Sequence, residues 1–106
     1  MEIQISNLYD EQAEQALLGA ILQKNEILKI LTIDFDQFYF PKHQTIFKAL
    51  RSMNDDGIEV DTVTLCSKLT ELKQLERVGG AYFLTGLLDQ CPAPSMAPTY
   101  ARQIIN

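Results

Sequence analysis

The chain has 106 residues, 46% hydrophobic, 22% charged and 8% aromatic, with 9 basic and 14 acidic side chains and a formal charge of −5. That length suits one domain with one core, and the apolar fraction is too high for a disordered chain. No apolar run approaches the roughly 18 residues of a membrane span, residues 1–9 lack the basic and apolar regions of a signal peptide, and an acidic chain is ill suited to gripping phosphates unaided.

Apolar residues recur with helical spacing throughout. Residues 1–9 read as an N-terminal arm and residues 10–106 as one helical domain. The first helix is expected over residues 11–24, with Asp10 as its N-cap and Glu11 and Glu14 at the positive end of its dipole. Ala13, Ala16, Leu17, Ala20 and Ile21 form its buried stripe. The alanines, with Gly19 nearby, let a neighbouring helix approach closely.

A short apolar helix is expected over residues 26–31. The aromatic run Phe35, Phe38, Tyr39 and Phe40 reads as an anchor that pins a connection to the core. Pro41 suits the first turn of a third helix. His43, Ile46, Phe47, Leu50 and Met53 share one face of it, and Asn54-Asp55-Asp56-Gly57 ends it. Asp61 is the expected N-cap of a fourth helix that turns Leu65, Cys66, Leu69 and Leu72 inward.

Gly79-Gly80 breaks the pattern before a fifth helix, over residues 81–90, that buries Leu84, Leu87 and Leu88. Cys91-Pro92-Ala93-Pro94 is a stiff extended connector, because a residue before proline avoids the helical region. Ser95 is the expected cap of a last helix, with Pro98 in its first turn and Ala97, Ala101, Ile104 and Ile105 inward. No C-cap signal precedes Asn106, which reads as a cut from a longer protein. The expected fold class is all-α, a compact orthogonal bundle of about six helices.

Chemical constellations are missing. None of the five glycines has the spacing of a phosphate-binding loop. A Cys-His or Ser-His nucleophile would have to use His43, which sits on an apolar stripe and reads as a satisfied core histidine. Cys66 and Cys91 read as small buried thiols of a reducing compartment, and with one histidine they fall short of the usual four zinc ligands. Asp34/Asp36 and Asp55/Asp56 flank turns as caps and solvated loops. No catalytic, cofactor-binding or metal-binding residue is assigned.

Protein contact remains. Tyr82 and Phe83 are consecutive, so they point roughly 100° apart on a helix. With Leu84, Leu87 and Leu88 already facing inward, one of the two rings lies near the surface and is a candidate partner anchor. Gln12 and Gln15, on the polar face of the first helix, are a second candidate. A helix-turn-helix regulator would need a basic recognition helix, and Lys42, Lys48 and Arg51 are balanced by Asp55 and Asp56.

One series of features goes further. Glu14-Gln15-Ala16-Leu17-Leu18-Gly19-Ala20-Ile21-Leu22 is followed in order by Phe38-Tyr39, His43, Ile46-Phe47, Gly57, Val60-Asp61, Leu65, Leu69, Leu75, Gly79-Gly80, Phe83-Leu84, Pro92, Pro94, Tyr100-Ala101 and Ile104. This series, over residues 10–105, resembles the N-terminal domain of bacterial and phage replicative DNA helicases of the DnaB type. It departs from the family pattern at Asn7-Leu8, Gln12 and Ala97, where proline, glutamate and asparagine are usual.

The resemblance implies a helical bundle followed by a helical hairpin, a linker and a RecA-like motor, with the chain cut before the hairpin. The motor would bind ATP and Mg and drive a hexamer along single-stranded DNA. The fragment is then no enzyme and holds no cofactor itself. Its implied partners are primase, other copies in a dimeric or hexameric collar, and a helicase loader. Single-stranded DNA is met only through the motor, no membrane is involved, and the setting is a bacterial or host cytoplasm. Because the family's dimer contacts lie largely in the hairpin, the fragment alone is expected to be monomeric or weakly dimeric. The alternative is an acidic helical adaptor unrelated to helicases.

Overall fold

No glycine or proline interrupts the first 18 residues, and the first helix runs unbroken as α1 (Glu2–Gln23). The computed structural model describes the backbone of residues 2–105 and the side chains of residues 11–104. The helix therefore starts well before residue 11, and Asp10 lies inside it rather than at its N-cap. Extending a formed helix adds one hydrogen bond per residue, and nothing in the sequence before Asp10 breaks it. Five shorter helices follow: α2 (Ile27–Ile30), α3 (Pro41–Asp55), α4 (Thr62–Glu71), α5 (Gly80–Gly86) and α6 (Ala97–Ile105). Single 3₁₀ turns cover Phe35–Gln37, Leu87–Gln90 and Pro94–Met96. No strand occurs among the described residues.

The ends of α3 and α4 follow from local chemistry. Pro41 occupies the first turn of α3, where its missing N–H costs nothing. At the other end, Gly57 (φ 75°) lets Ile58 N–H reach Met53 O and Gly57 N–H reach Asn54 O, which closes the helix with two reversed bonds. Asp61 caps α4 as expected: its carboxylate accepts from Thr64 N–H at 2.8 Å, and the Thr64 hydroxyl accepts from Asp61 N–H at 2.9 Å. The same closing geometry as in α3 ends α4 at Lys73 (φ 60°). The chain turns away there, so Leu72, expected inward, is exposed. Ser95 does not cap α6; it lies inside the 3₁₀ turn that leads into that helix.

Leu17, Leu18 and Ile21 from α1, Leu28 from α2, Ile46, Phe47 and Leu50 from α3, Leu65 and Leu69 from α4 and Leu84 from α5 are fully buried in one core. Phe38 alone of its aromatic run is fully buried, with its ring 5.0 Å from that of Phe47. Phe35 and Phe40 are half-buried and Tyr39 is exposed, so the anchor is one ring rather than four. The radius of gyration, 12.9 Å, matches the roughly 13 Å of a domain of this size with a single core.

α1 packs against α6 and against the turn Leu87–Gln90. Gly19 makes that second contact possible: a Cβ there would stand 2.1 Å from the carbonyl oxygen of Leu87. Cys91 is buried and Cys66 half-buried, and both are free thiols. Burial pushes the Cys91 thiol above its ordinary range, which keeps it protonated and unreactive.

Two outcomes are expected. Gly19→Ala should destabilise the fold by about 3 kcal/mol in urea unfolding, because backbone cannot yield as a side chain can; a loss below about 0.5 kcal/mol would contradict the close contact. Thr64 N–H holds the Asp61 carboxyl below its ordinary value of 3.8. That stabilisation is present above the unfolded value and fades as pH falls through the lowered folded one. The melting-temperature advantage of wild type over Asp61→Asn should therefore shrink from neutral to strongly acidic pH, and a constant difference would exclude a charged cap.

Candidate partner-binding site

The half of α1 nearest Gln12 meets the entry of α3 through one buried carboxylate. Glu14 is 1% exposed. Its Oε2 accepts from Tyr39 N–H at 2.6 Å, and its Oε1 accepts from Phe40 N–H at 3.4 Å. Oε1 also lies 2.6 Å from Nδ1 of His43, which is completely buried. An ionised carboxylate only accepts, so opposite it the His43 Nδ1–H is the donor. Nε2 of His43 has no partner among the described residues. His43 is thus the core histidine that its stripe predicts, but only one of its nitrogens is satisfied.

Glu14 differs from expectation. It does not serve the positive end of its own helix, which starts a dozen residues earlier; it holds the backbone just before α3. The signal was in the pattern. Glu14 falls on the same stripe as Leu17, Leu18 and Ile21, and His43 falls on the stripe of Ile46 and Phe47. Two polar residues on two buried stripes satisfy each other at low cost, whereas either alone would be expensive.

The His43 ring carries this contact to α5. It stacks on Phe83 with centroids 6.1 Å apart and planes 12° from parallel, and Phe40 packs edge-on to it at 5.4 Å. Phe83 also has the Lys42 ammonium 4.2 Å from its ring centroid. Gly79 (φ 113°) and Gly80 (φ 79°) supply the left-handed turn that starts α5. A Cβ on Gly79 would come within 2.9 Å of Phe83, so Gly79 also makes room for the ring to fold back.

The four candidate contact residues therefore divide. Tyr82 is 93% exposed and is the free aromatic of the pair, while Phe83 is half-buried against the core. Gln15, Tyr82 and Phe83 share one open groove of about 360 Å³ with Gly79, Gly86, Leu87 and Gln90. Gln12 is exposed and lies on a separate shallow groove with Ala13, Ala16, Gln90, Tyr100 and Gln103. Tyr39, which its sequence places in a core anchor, is also exposed. Among the described residues no cluster of three or more His, Cys, Asp or Glu could hold a metal, and no helix is long and apolar enough to cross a membrane.

Residues 6–106 match the family model of the DnaB-like helicase N-terminal domain. The chain belongs to this family. It is 37% identical over 93 residues to the replicative DNA helicase DnaC of Bacillus subtilis, a match that covers 86% of this chain and 20% of that protein. The N-terminal domain of DnaB helicase from Mycobacterium tuberculosis superposes with a TM-score of 0.85 at 29% identity, over 89% of this chain and 69% of that one. A DnaB-like replicative helicase, solved together with its interactions with primase, superposes with a TM-score of 0.80 at 26% identity, over 89% of this chain and 22% of that one. The chain thus spans about a fifth of the length of the curated relatives it matches.

Removing a buried partner leaves an uncompensated polar group, at about 3–5 kcal/mol. Glu14→Ala should cost that much in urea unfolding, and Glu14→Gln less, because its amide oxygen still accepts from Tyr39 N–H. A loss below about 1 kcal/mol for Glu14→Ala would place the pair with solvent-screened surface contacts.

Proposed function

We propose that this chain is the assembly and primase-interaction domain of a hexameric replicative DNA helicase, whose whole chain unwinds duplex DNA with ATP hydrolysis during replication. Membership of the DnaB-like N-terminal family, with the fold of a helicase solved for its interactions with primase, is the observation that carries this reading. It also disfavours an unrelated adaptor. On this reading the domain performs no chemistry. ATP and Mg belong to a motor domain that also meets single-stranded DNA, and the domain contributes surfaces to a collar in the cytoplasm. A helicase loader is a further partner of that collar.

Geometry supports α5 as one such surface. Interface energy concentrates in a few aromatic anchors with a polar rim. Tyr82 offers an almost wholly exposed ring, and Gln15 and Gln90 border the groove beside it.

Isothermal titration of this chain with the primase of the same genome tests the reading. Binding is expected, and Tyr82→Ala should weaken it by about tenfold or more, as truncation of an anchor does. Phe83→Ala should weaken it too and also lower the melting temperature, since that ring packs on His43. Unchanged affinity for both variants would remove α5 as an anchor, and no binding by the wild-type chain would remove the primase contact altogether.

A further inference from the structure

Four rings around the start of α3 and α5, the exposed Tyr39 and Tyr82 and the half-buried Phe40 and Phe83, form a ridge over the buried His43 that neither helix contains alone. Tyr39 and Phe40 pack edge to face at 5.0 Å, Phe40 meets His43 at 5.4 Å, His43 meets Phe83 at 6.1 Å, and Tyr82 stands next to Phe83 in the chain. Both ends of the ridge are open: Tyr39 is 64% and Tyr82 93% exposed. Between them Lys42 holds its ammonium over Phe83.

Lys42 is oddly placed for stability alone. It lies in the first turn of α3, where the helix dipole favours a negative charge and disfavours a positive one. Among the described residues the ion pairs are His43–Glu14 and Lys68–Glu71, so no described carboxylate lies within 4.0 Å of the Lys42 ammonium. A cation with no ion-pair partner among the described residues, held in an aromatic patch on a molecule of net charge −5, is complementary to an acidic group on something else. Tyrosines suit such a face, because each couples a large apolar ring to a hydroxyl that hydrogen-bonds at the rim.

We propose that the partner-binding face extends from α5 across the entry of α3, and that it takes a helix presenting an apolar side chain beside a carboxylate. The apolar side chain packs along the Tyr82–Phe83–Phe40–Tyr39 ridge. The carboxylate pairs with Lys42, whose attraction to the Phe83 ring strengthens as water leaves. Lys42 is then the specificity element of the face and the source of its salt dependence. This proposal rests on the reading of α5 as a primase contact.

Titration of this chain with the same primase decides it, with Tyr39→Ala, Lys42→Glu and Lys42→Arg as variants and thermal melts as the check on folding. Lys42→Glu should weaken binding by about tenfold to a hundredfold, Lys42→Arg should stay within about threefold of wild type, and Tyr39→Ala should lose about fivefold or more. Raising salt should weaken the wild type more than Lys42→Glu. Wild-type binding that is lost on Tyr82→Ala but untouched by Lys42→Glu and Tyr39→Ala overturns the extended face and leaves the α5 contact standing. Absence of wild-type binding overturns the primase reading and the extended face with it. If light scattering shows instead that Lys42→Glu breaks a self-dimer without changing primase affinity, the occupant is a second copy and the proposal fails.

Discussion

A carboxylate taken out of water must find hydrogen bonds or lose several kcal/mol, and Glu14 finds its bonds in a single segment of chain. Tyr39 N–H, Phe40 N–H and His43 Nδ1 all converge on it. Two of these donors belong to the chain just before α3, outside the hydrogen bonds of the helix itself. The requirement of Glu14 is thus met by the backbone that leads into α3. The two longest helices are thereby fixed relative to each other, and the rest of the ridge follows. His43 is held by Glu14, and Phe83 of α5 lies on His43.

The remaining connections are pinned in the same way, by polar side chains of helices serving loop backbone. The Asn25 amide closes a two-way bond with Val60, donating to its carbonyl at 3.0 Å and accepting from its N–H at 2.7 Å. Arg51 donates to Leu28 O at 2.9 Å and to Ile33 O at 3.5 Å, so it ties the end of α2 to α3. Gln23 donates to Leu88 O and Cys91 O, tying the end of α1 to the stretch after α5. These bonds answer orphan carbonyls that the core would otherwise leave unsatisfied. They also hold the surface loops in one arrangement, and a preorganised surface loses less entropy on binding.

Such a domain can act through shape and charge alone. Its buried histidine and buried cysteine do not line the groove beside Tyr82, and the partner-facing side chains are rings, amides and one lysine. The acidic net charge is consistent with a part that meets proteins and leaves phosphates to another domain.

The six helices, their apolar stripes, the Asp61 cap and the glycine that ends α3 were legible in the sequence, because each depends on residues close together in the chain; the family was legible in the order of such short features along it. Spacing alone also required that Tyr82 or Phe83 face outward. It could not choose between them. That choice was made by His43, forty positions away, whose ring covers one side of Phe83. The start of α1 was misread because a good capping residue is a local preference, and uninterrupted helical chain on both sides outweighs it. Leu72 was misread because its stripe continues past the point where the backbone turns at Lys73. The role of Glu14 and the joining of Tyr39, Lys42 and Tyr82 into one ridge were decided by tertiary structure, since hydrogen bonds and ring contacts between distant segments exist only once the core has brought those segments together.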